Sequence, residues 1–110
     1  MPIPEIDPAT LAARLSGPPE SQPVLLDVRF PEEHDHVALP RSVLIPLPEL
    51  DERAGELEPF RGRSIVVYCH HGVRSLDGAA YLIAHGLDAV SLRGGIDLYS
   101  RLVDPSLPRY

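Results

Sequence analysis

Two short runs, Val24-Leu25-Leu26-Asp27-Val28 and Ile65-Val66-Val67-Tyr68, are apolar without the two-residue alternation of a half-wet strand. Strands of this kind have both faces covered, as in a parallel sheet sandwiched by helices. Helical patterns lie where that arrangement needs them. Asp7-Pro8 is an N-cap with proline at the first helical position; it opens a helix over Ala9 to Ser16 that Gly17-Pro18-Pro19 stops. Phe30 to His34 reads as a short helical turn, Ser42 to Pro46 as a second strand, and about Leu47 to Glu58 as a helix. The strongest helical pattern runs from Val73 to His85, with Val73, Leu76, Ala80 and Ile83 on one face and Gly86 as its stop. Ala89 to Leu92 is another strand, Gly94-Gly95 a turn, and Ile96 to Leu102 the last helix. This alternation predicts a single α/β domain over residues 1–110, with a mostly parallel central sheet flanked by helices and a proline-limited tail over residues 103–110. In such sheets, ligands sit beyond the carboxyl ends of the strands.

At 110 residues the chain is large enough for one core and too short for two. A net charge of −6 argues against nucleic acid, which calls for a basic patch. With two Phe, four Tyr and no Trp, stacking platforms for single strands are not evident either. No apolar run approaches the roughly 20 residues of a membrane span, so no membrane partner is expected. The N-terminal residues lack the basic and apolar stretches of a secretory signal. A single cysteine forms no internal disulfide, which fits a reducing compartment and makes the expected location cytoplasmic. All ten basic residues are Arg; without Lys, Schiff-base chemistry and a P-loop lysine are excluded.

That one cysteine, Cys69, ends the Ile65–Tyr68 run, and the loop His70-His71-Gly72-Val73-Arg74-Ser75 carries the chain into the strongest helix. To start that helix the backbone must curl, and Gly72 permits an unusual φ on the way. Amides curled at a helix N-terminus form an anion-binding nest, a field that favours a thiolate over a thiol. Arg74, together with His70 or His71 when protonated, adds positive charge for an anionic substrate. The plainer alternative is a small buried hydrophobe closing a strand. A loop that contains Gly and closes on Arg, set before a strong helix, argues for the reactive reading. Metal binding through His70 and His71 is disfavoured, because adjacent residues rarely point at one ion and no second Cys/His group exists. On its own, the loop leaves phosphate, arsenate and redox chemistry open beside sulfur chemistry.

Four segments in order resemble the signatures of single-domain rhodaneses, a family of sulfurtransferases. Leu25-Leu26-Asp27-Val28-Arg29 with Pro31-Glu32-Glu33 resembles the family's opening strand and turn, and Leu39-Pro40 before Val43 to Leu47 its second signature. Cys69 to Ser75 resembles the active-site loop, and Leu92-Arg93-Gly94-Gly95-Ile96-Asp97-Leu98-Tyr99 the closing glycine pair. The resemblance implies a three-layer rhodanese-like fold and a mechanism with no metal or organic cofactor. Cys69 would be the catalytic nucleophile, taking the outer sulfur of a small anionic donor such as thiosulfate as a persulfide. A thiol, cyanide or a protein acceptor would then remove it. Residues His70, His71, Gly72, Val73, Arg74 and Ser75 would bind the substrate, with Arg74 orienting the loop or the donor's charge. Four residues separate Cys69 from Arg74, whereas cysteine phosphatases of this fold resemble Cys-x5-Arg, a wider cradle suited to a tetrahedral oxyanion. A non-catalytic rhodanese-like module for protein contact, sulfur relay or redox sensing is the alternative.

The chain departs from the family pattern Gly-His-Ile-Pro-Gly-Ala, reading Val37-Ala38-Leu39-Pro40-Arg41-Ser42, which predicts an altered turn there. Tyr99 stands where Trp is common, a difference expected to touch packing only. Asp27 and Arg29 are expected to form a structural ion pair rather than a catalytic one. Arg93 is placed either at the pocket mouth or in solvent, His34, His36 and His85 at the surface, and Glu32-Glu33 at a solvated helix start. The tail resembles the end of rhodanese domains fused to enzymes that activate ubiquitin-like sulfur carriers; otherwise Leu107 and Tyr110 simply pack it across the domain.

Overall fold

A computed structural model of the chain describes residues 2–110. Its sheet has five strands: β1 (Glu5–Ile6), β2 (Val24–Asp27), β3 (Val43–Leu44), β4 (Ser64–Tyr68) and β5 (Asp88–Leu92). Their spatial order is β1-β5-β4-β2-β3, and every pairing is parallel. The α-helices are α1 (Pro8–Leu15), α2 (Pro31–His36), α3 (Leu50–Arg53), α4 (Arg74–Ala84) and α5 (Gly95–Leu102). Asp7 caps α1, its carboxylate accepting the Thr10 N–H at 2.7 Å, with Pro8 opening the helix.

Two cores account for the missing alternation. On one side of the sheet Ile65, Val67 and Cys69 pack with Leu26, Val28, Leu50, Ala79 and Leu82, beneath α3 and α4. On the other, Val66 and Tyr68 pack with Leu11, Leu25, Ile96 and Tyr99, beneath α1 and α5. Successive residues of β4 thus enter different cores. Leu26, Val66 and Leu82 are fully buried, and truncating such a side chain to Ala costs roughly 2–5 kcal/mol. In register, Asp27 of β2 lies opposite Tyr68 of β4, so Asp27 and Cys69 belong to neighbouring strand ends.

Several elements differ from the sequence reading. β1 was not anticipated, since two residues carry no periodicity; backbone bonds such as Ser91 N–H to Pro4 O at 2.9 Å recruit it to the sheet edge. β2 stops at Asp27 and β3 shortens to Val43–Leu44. The segment expected to be one helix from Leu47 to Glu58 is broken: a 3₁₀ turn over Leu47–Glu49, α3, then a 3₁₀ stretch over Ala54–Phe60. Pro48, Gly55 and Pro59 deny it the donors and backbone economy a continuous α-helix needs. On α4 the buried residues are Ser75, Gly78, Ala79 and Leu82, not the expected stripe, and Val73 is 71% exposed. The reason is close approach: a Cβ on Gly78 would sit 3.0 Å from Val67 and 3.3 Å from Val28, so this face alone lets α4 reach the sheet. Its small residues are invisible to a search for large apolar ones.

In the Leu39–Ser42 turn the Ser42 N–H donates to Leu39 O at 3.2 Å, with Pro40 second and Arg41 third, the latter at φ +61°. Proline followed by a left-handed residue is the pattern of a type II turn. Arg41 therefore takes a left-handed conformation that glycine adopts without strain. The buried Tyr68 hydroxyl anchors it, accepting the Leu39 N–H at 3.1 Å and lying 2.8 Å from Ser42 Oγ.

Candidate active site

The loop after β4 is built around one sulfur atom. Cys69 is only 1% exposed, and its Sγ accepts the Gly72 N–H at 3.1 Å and the Ser75 N–H at 3.3 Å. Ser75 is the second residue of α4, whose N-cap residue, Val73, provides no side-chain cap. Sγ occupies the place of a capping oxygen, facing orphan amides at the positive end of an eleven-residue helix. Amides aimed at sulfur stabilise its anion more than its thiol. The Ser75 hydroxyl lies 3.4 Å from Sγ and 2.7 Å from the hydroxyl of Ser91 on β5, both Ser residues being fully buried.

Tight backbone contact holds this shape. Gly72 has φ +93°, and a Cβ there would sit 2.9 Å from the Gly94 nitrogen. A Cβ on Gly95 would collide with the carbonyl oxygens of Cys69 and His70. Those carbonyls instead accept the first amides of α5, from Ile96 at 2.9 Å and Asp97 at 3.1 Å. The closing glycine pair is therefore the seat on which the Cys69 loop rests.

The loop's cation is already paired. Arg74 makes a two-pronged contact with Glu33 of α2 at 2.8 and 2.9 Å. Glu33 also accepts the Phe30 N–H at 3.0 Å and the Tyr110 hydroxyl at 2.8 Å. The Arg74 hydrogen bonds foremost, with Phe30 and Tyr110 behind them, hold the Glu33 carboxyl down at about 2. Glu33 is thus not part of a solvated helix start, and Arg74 is not a free charge waiting for an anion. The Asp27–Arg29 pair is fully buried, with Arg29 donating to both Asp27 oxygens, to Val37 O at 2.7 Å and to the Tyr110 hydroxyl at 2.7 Å. His34 is not a bystander either: its Nδ1 lies 2.8 Å from the same Asp27 carboxylate.

His70 and His71 stack, ring centroids 3.8 Å apart, and the ring of Tyr110 stacks on His70 at 3.8 Å and 9°. Burial, reinforced by the neighbouring His71, lowers the pKa of His70. His71 is exposed and sits 3.9 Å from Asp97, which pairs with Arg109 at 2.8 Å. Ligand atoms of His70, His71 and Asp97 come within 4.8 Å of one another. Stacked imidazoles direct their nitrogens alongside each other rather than at one ion, and Asp97 is committed to Arg109. Arg93 extends to Glu5 of β1 at 3.7 Å, and His36 meets Tyr110 edge-on.

Sequence reasoning placed Cys69 to Ser75 in one loop, and the structure gathers it around Sγ with Val73 pointing outward. It passed over Ser91, gave Asp97 no role beyond its segment, read Tyr110 only as tail packing, and misjudged Glu33. A buried Ser within an apolar strand was the one available signal for Ser91; nothing local marked the others.

A parallel α/β sheet with a lone cysteine cradled by amides at the end of its central strand defines a class of thiol-bearing α/β domains. The profile of the Rhodanese-like domain family matches residues 7–102, and the chain belongs to that family. It is 35% identical over 99 residues to a sulfurtransferase of Allochromatium vinosum, covering 88% of each chain. It is 36% identical over 87 residues to the probable adenylyltransferase/sulfurtransferase MoeZ of Mycobacterium tuberculosis, spanning 78% of this chain but 22% of that one. A rhodanese-like domain protein from Staphylococcus aureus superposes with a TM-score of 0.78 at 31% identity, covering 98% of this chain and 99% of that one. These relatives support sulfur transfer in general terms, and the described residues include no helix long and apolar enough to cross a membrane.

Proposed function

We propose that the domain is a sulfurtransferase that carries sulfane sulfur on Cys69. The observation behind this reading is the sulfur atom held by the Gly72 and Ser75 amides at the mouth of α4. The Cys69 thiolate attacks the outer sulfur of thiosulfate; the donor's S–S bond breaks, and sulfite leaves with the bonding pair. The new Cys69 persulfide carries its charge on the outer sulfur, within the field of the same amides. A thiophile such as cyanide attacks that sulfur, thiocyanate departs, and the thiolate returns. No electron source is needed, because sulfur moves between nucleophiles of like oxidation state. His70 to Ser75 shape the binding cradle and the protein works without a metal or organic cofactor. Thiosulfate stands for the donor class; thiols or a protein acceptor, as suggested by the sulfurtransferase named MoeZ, are the cellular counterparts. A reducing compartment such as the cytoplasm suits a chain with one unpaired cysteine.

Mass spectrometry of the intact protein tests this. Thiosulfate should add one sulfur atom, cyanide should remove it, and Cys69→Ser should acquire none. The near-complete burial of Cys69 favours a second reading, a non-catalytic or redox-sensing module that works through contact. Failure to load from thiosulfate, from polysulfide and from a persulfidated thiol would select it.

A further inference from the structure

Contacts run from the tail to both ends of the Cys69 loop. At the far end, Arg74 is pinned by Glu33, and Glu33 accepts the Tyr110 hydroxyl at 2.8 Å. At the near end, the Tyr110 ring lies flat on His70, the residue that follows Cys69. A second tie closes the far side, where Arg109 pairs with Asp97 beside His71. Two tail residues therefore bridge the strand-end, loop-end and helix-start elements that frame the sulfur.

We propose that Tyr110 is a specificity-determining residue of this site: its ring over His70 narrows the approach to Cys69, so that small thiophiles discharge the sulfur readily and bulky thiols do so only when the ring is displaced. The inference rests on the sulfur-transfer reading for its kinetics, but its steric content concerns Cys69 alone. Three observations carry it. Cys69 is almost fully covered although the loop around it, at His71 and Val73, is exposed. The ring is aimed by two hydrogen bonds to its hydroxyl, from Arg29 at 2.7 Å and to Glu33 at 2.8 Å. His70 Nε2 is also buried without a hydrogen-bond partner. A polar atom deprived of water is regained by solvent when the ring lifts, which offsets part of the stacking energy. The cover is thus specific in its geometry.

The experiment compares native protein with Tyr110→Ala, Tyr110→Phe and Arg109→Ala. With thiosulfate as donor, kcat and KM are measured for cyanide and for glutathione as acceptors. The glutathione-to-cyanide ratio of kcat/KM should rise about threefold to tenfold in Tyr110→Ala, the worth of one stacked aromatic pair. The gain should fall mainly in the KM for glutathione. Tyr110→Phe keeps the ring but loses the two hydrogen bonds that aim it, and should fall between native and Tyr110→Ala, as should Arg109→Ala. In parallel, Cys69 is alkylated with iodoacetamide and with a fluorescein maleimide; as the chain has one cysteine, labelling is unambiguous. Tyr110→Ala should speed the bulky reagent more than the small one. Equal acceleration of both, or no change in either, overturns the proposal. Lack of thiosulfate loading in native protein would count against the sulfur-transfer reading, while the alkylation ratio would still decide this one.

Discussion

The ends of β2 and β4 lie side by side, yet they solve opposite problems. At the end of β2, Asp27 and Arg29 are fully buried charges, and Arg29 spends its donors on Asp27, Glu33 O, Val37 O and Tyr110. At the end of β4, Cys69 is equally buried, but its partners are two backbone amides and a serine hydroxyl. One end pairs full charges and so locks conformation. The other aims neutral dipoles at a single sulfur atom. A buried ion pair resists change because losing either partner strands the other. A nest of amides tolerates a thiol, a thiolate or a persulfide, since its dipoles are fixed by the backbone whatever the sulfur carries. Glu33 and Tyr110 join the two ends, which makes the charge-paired one a support for the one that holds Cys69.

That contrast can be broken at several points. Cys69→Ser should abolish sulfur loading altogether while changing unfolding free energy by only about 1 kcal/mol, measured by mass spectrometry and urea titration. Arg29→Ala should do the reverse, costing about 3–5 kcal/mol in the same titration by leaving Asp27 unpaired. A stable Arg29→Ala variant would mean the β2 end is not the lock described here.

Glu33 is the joint, and pH probes it. Its carboxyl is held from the ordinary 4.5 down to about 2. A group whose folded pKa is depressed adds stability that is complete above its unfolded value and disappears as pH falls through the folded one. The Glu33 contribution should therefore be intact above about pH 4.5 and fade between there and about pH 2. Glu33→Gln should be less stable at neutral pH, with the gap to the native protein closing across that window. A constant gap would show that the Arg74 pair does not carry it. The smallest effect belongs to the turn that leads into β3. Arg41→Gly removes the strain of a left-handed non-glycine residue and should stabilise by about 1 kcal/mol, less a few tenths for the more flexible unfolded chain. Part of any gain is offset by loss of the Arg41–Gln22 hydrogen bond at 3.1 Å.

Much of the site was legible in the chain because it is local. Cys69 to Ser75 is one contiguous loop whose curl Gly72 was expected to permit, whereas Gly94 and Gly95 were read only as a turn and their contact with the Cys69 loop needed the fold. Glu33 was misread because its first turn looks solvated until Arg74, 41 residues away, arrives opposite it. Tyr110 was read as packing because no pattern along the eight-residue tail says which surface it will meet. The misassigned face of α4 has the same origin: amphipathic spacing ranks large apolar residues, and this helix approaches the sheet through Gly78 and Ala79.

What the sequence determined by itself was the layered α/β architecture, through strands that repeat apolar residues on both faces, and the place of the one thiol at a strand-to-helix junction. Those properties follow from period and from local backbone chemistry, which neighbouring residues decide. Only the tertiary structure decided that Arg74 is neutralised, that Asp27 holds both Arg29 and His34, and that Tyr110 covers His70. Electrostatic and steric terms depend on distance through space, and the chain brings such partners together only when it is folded.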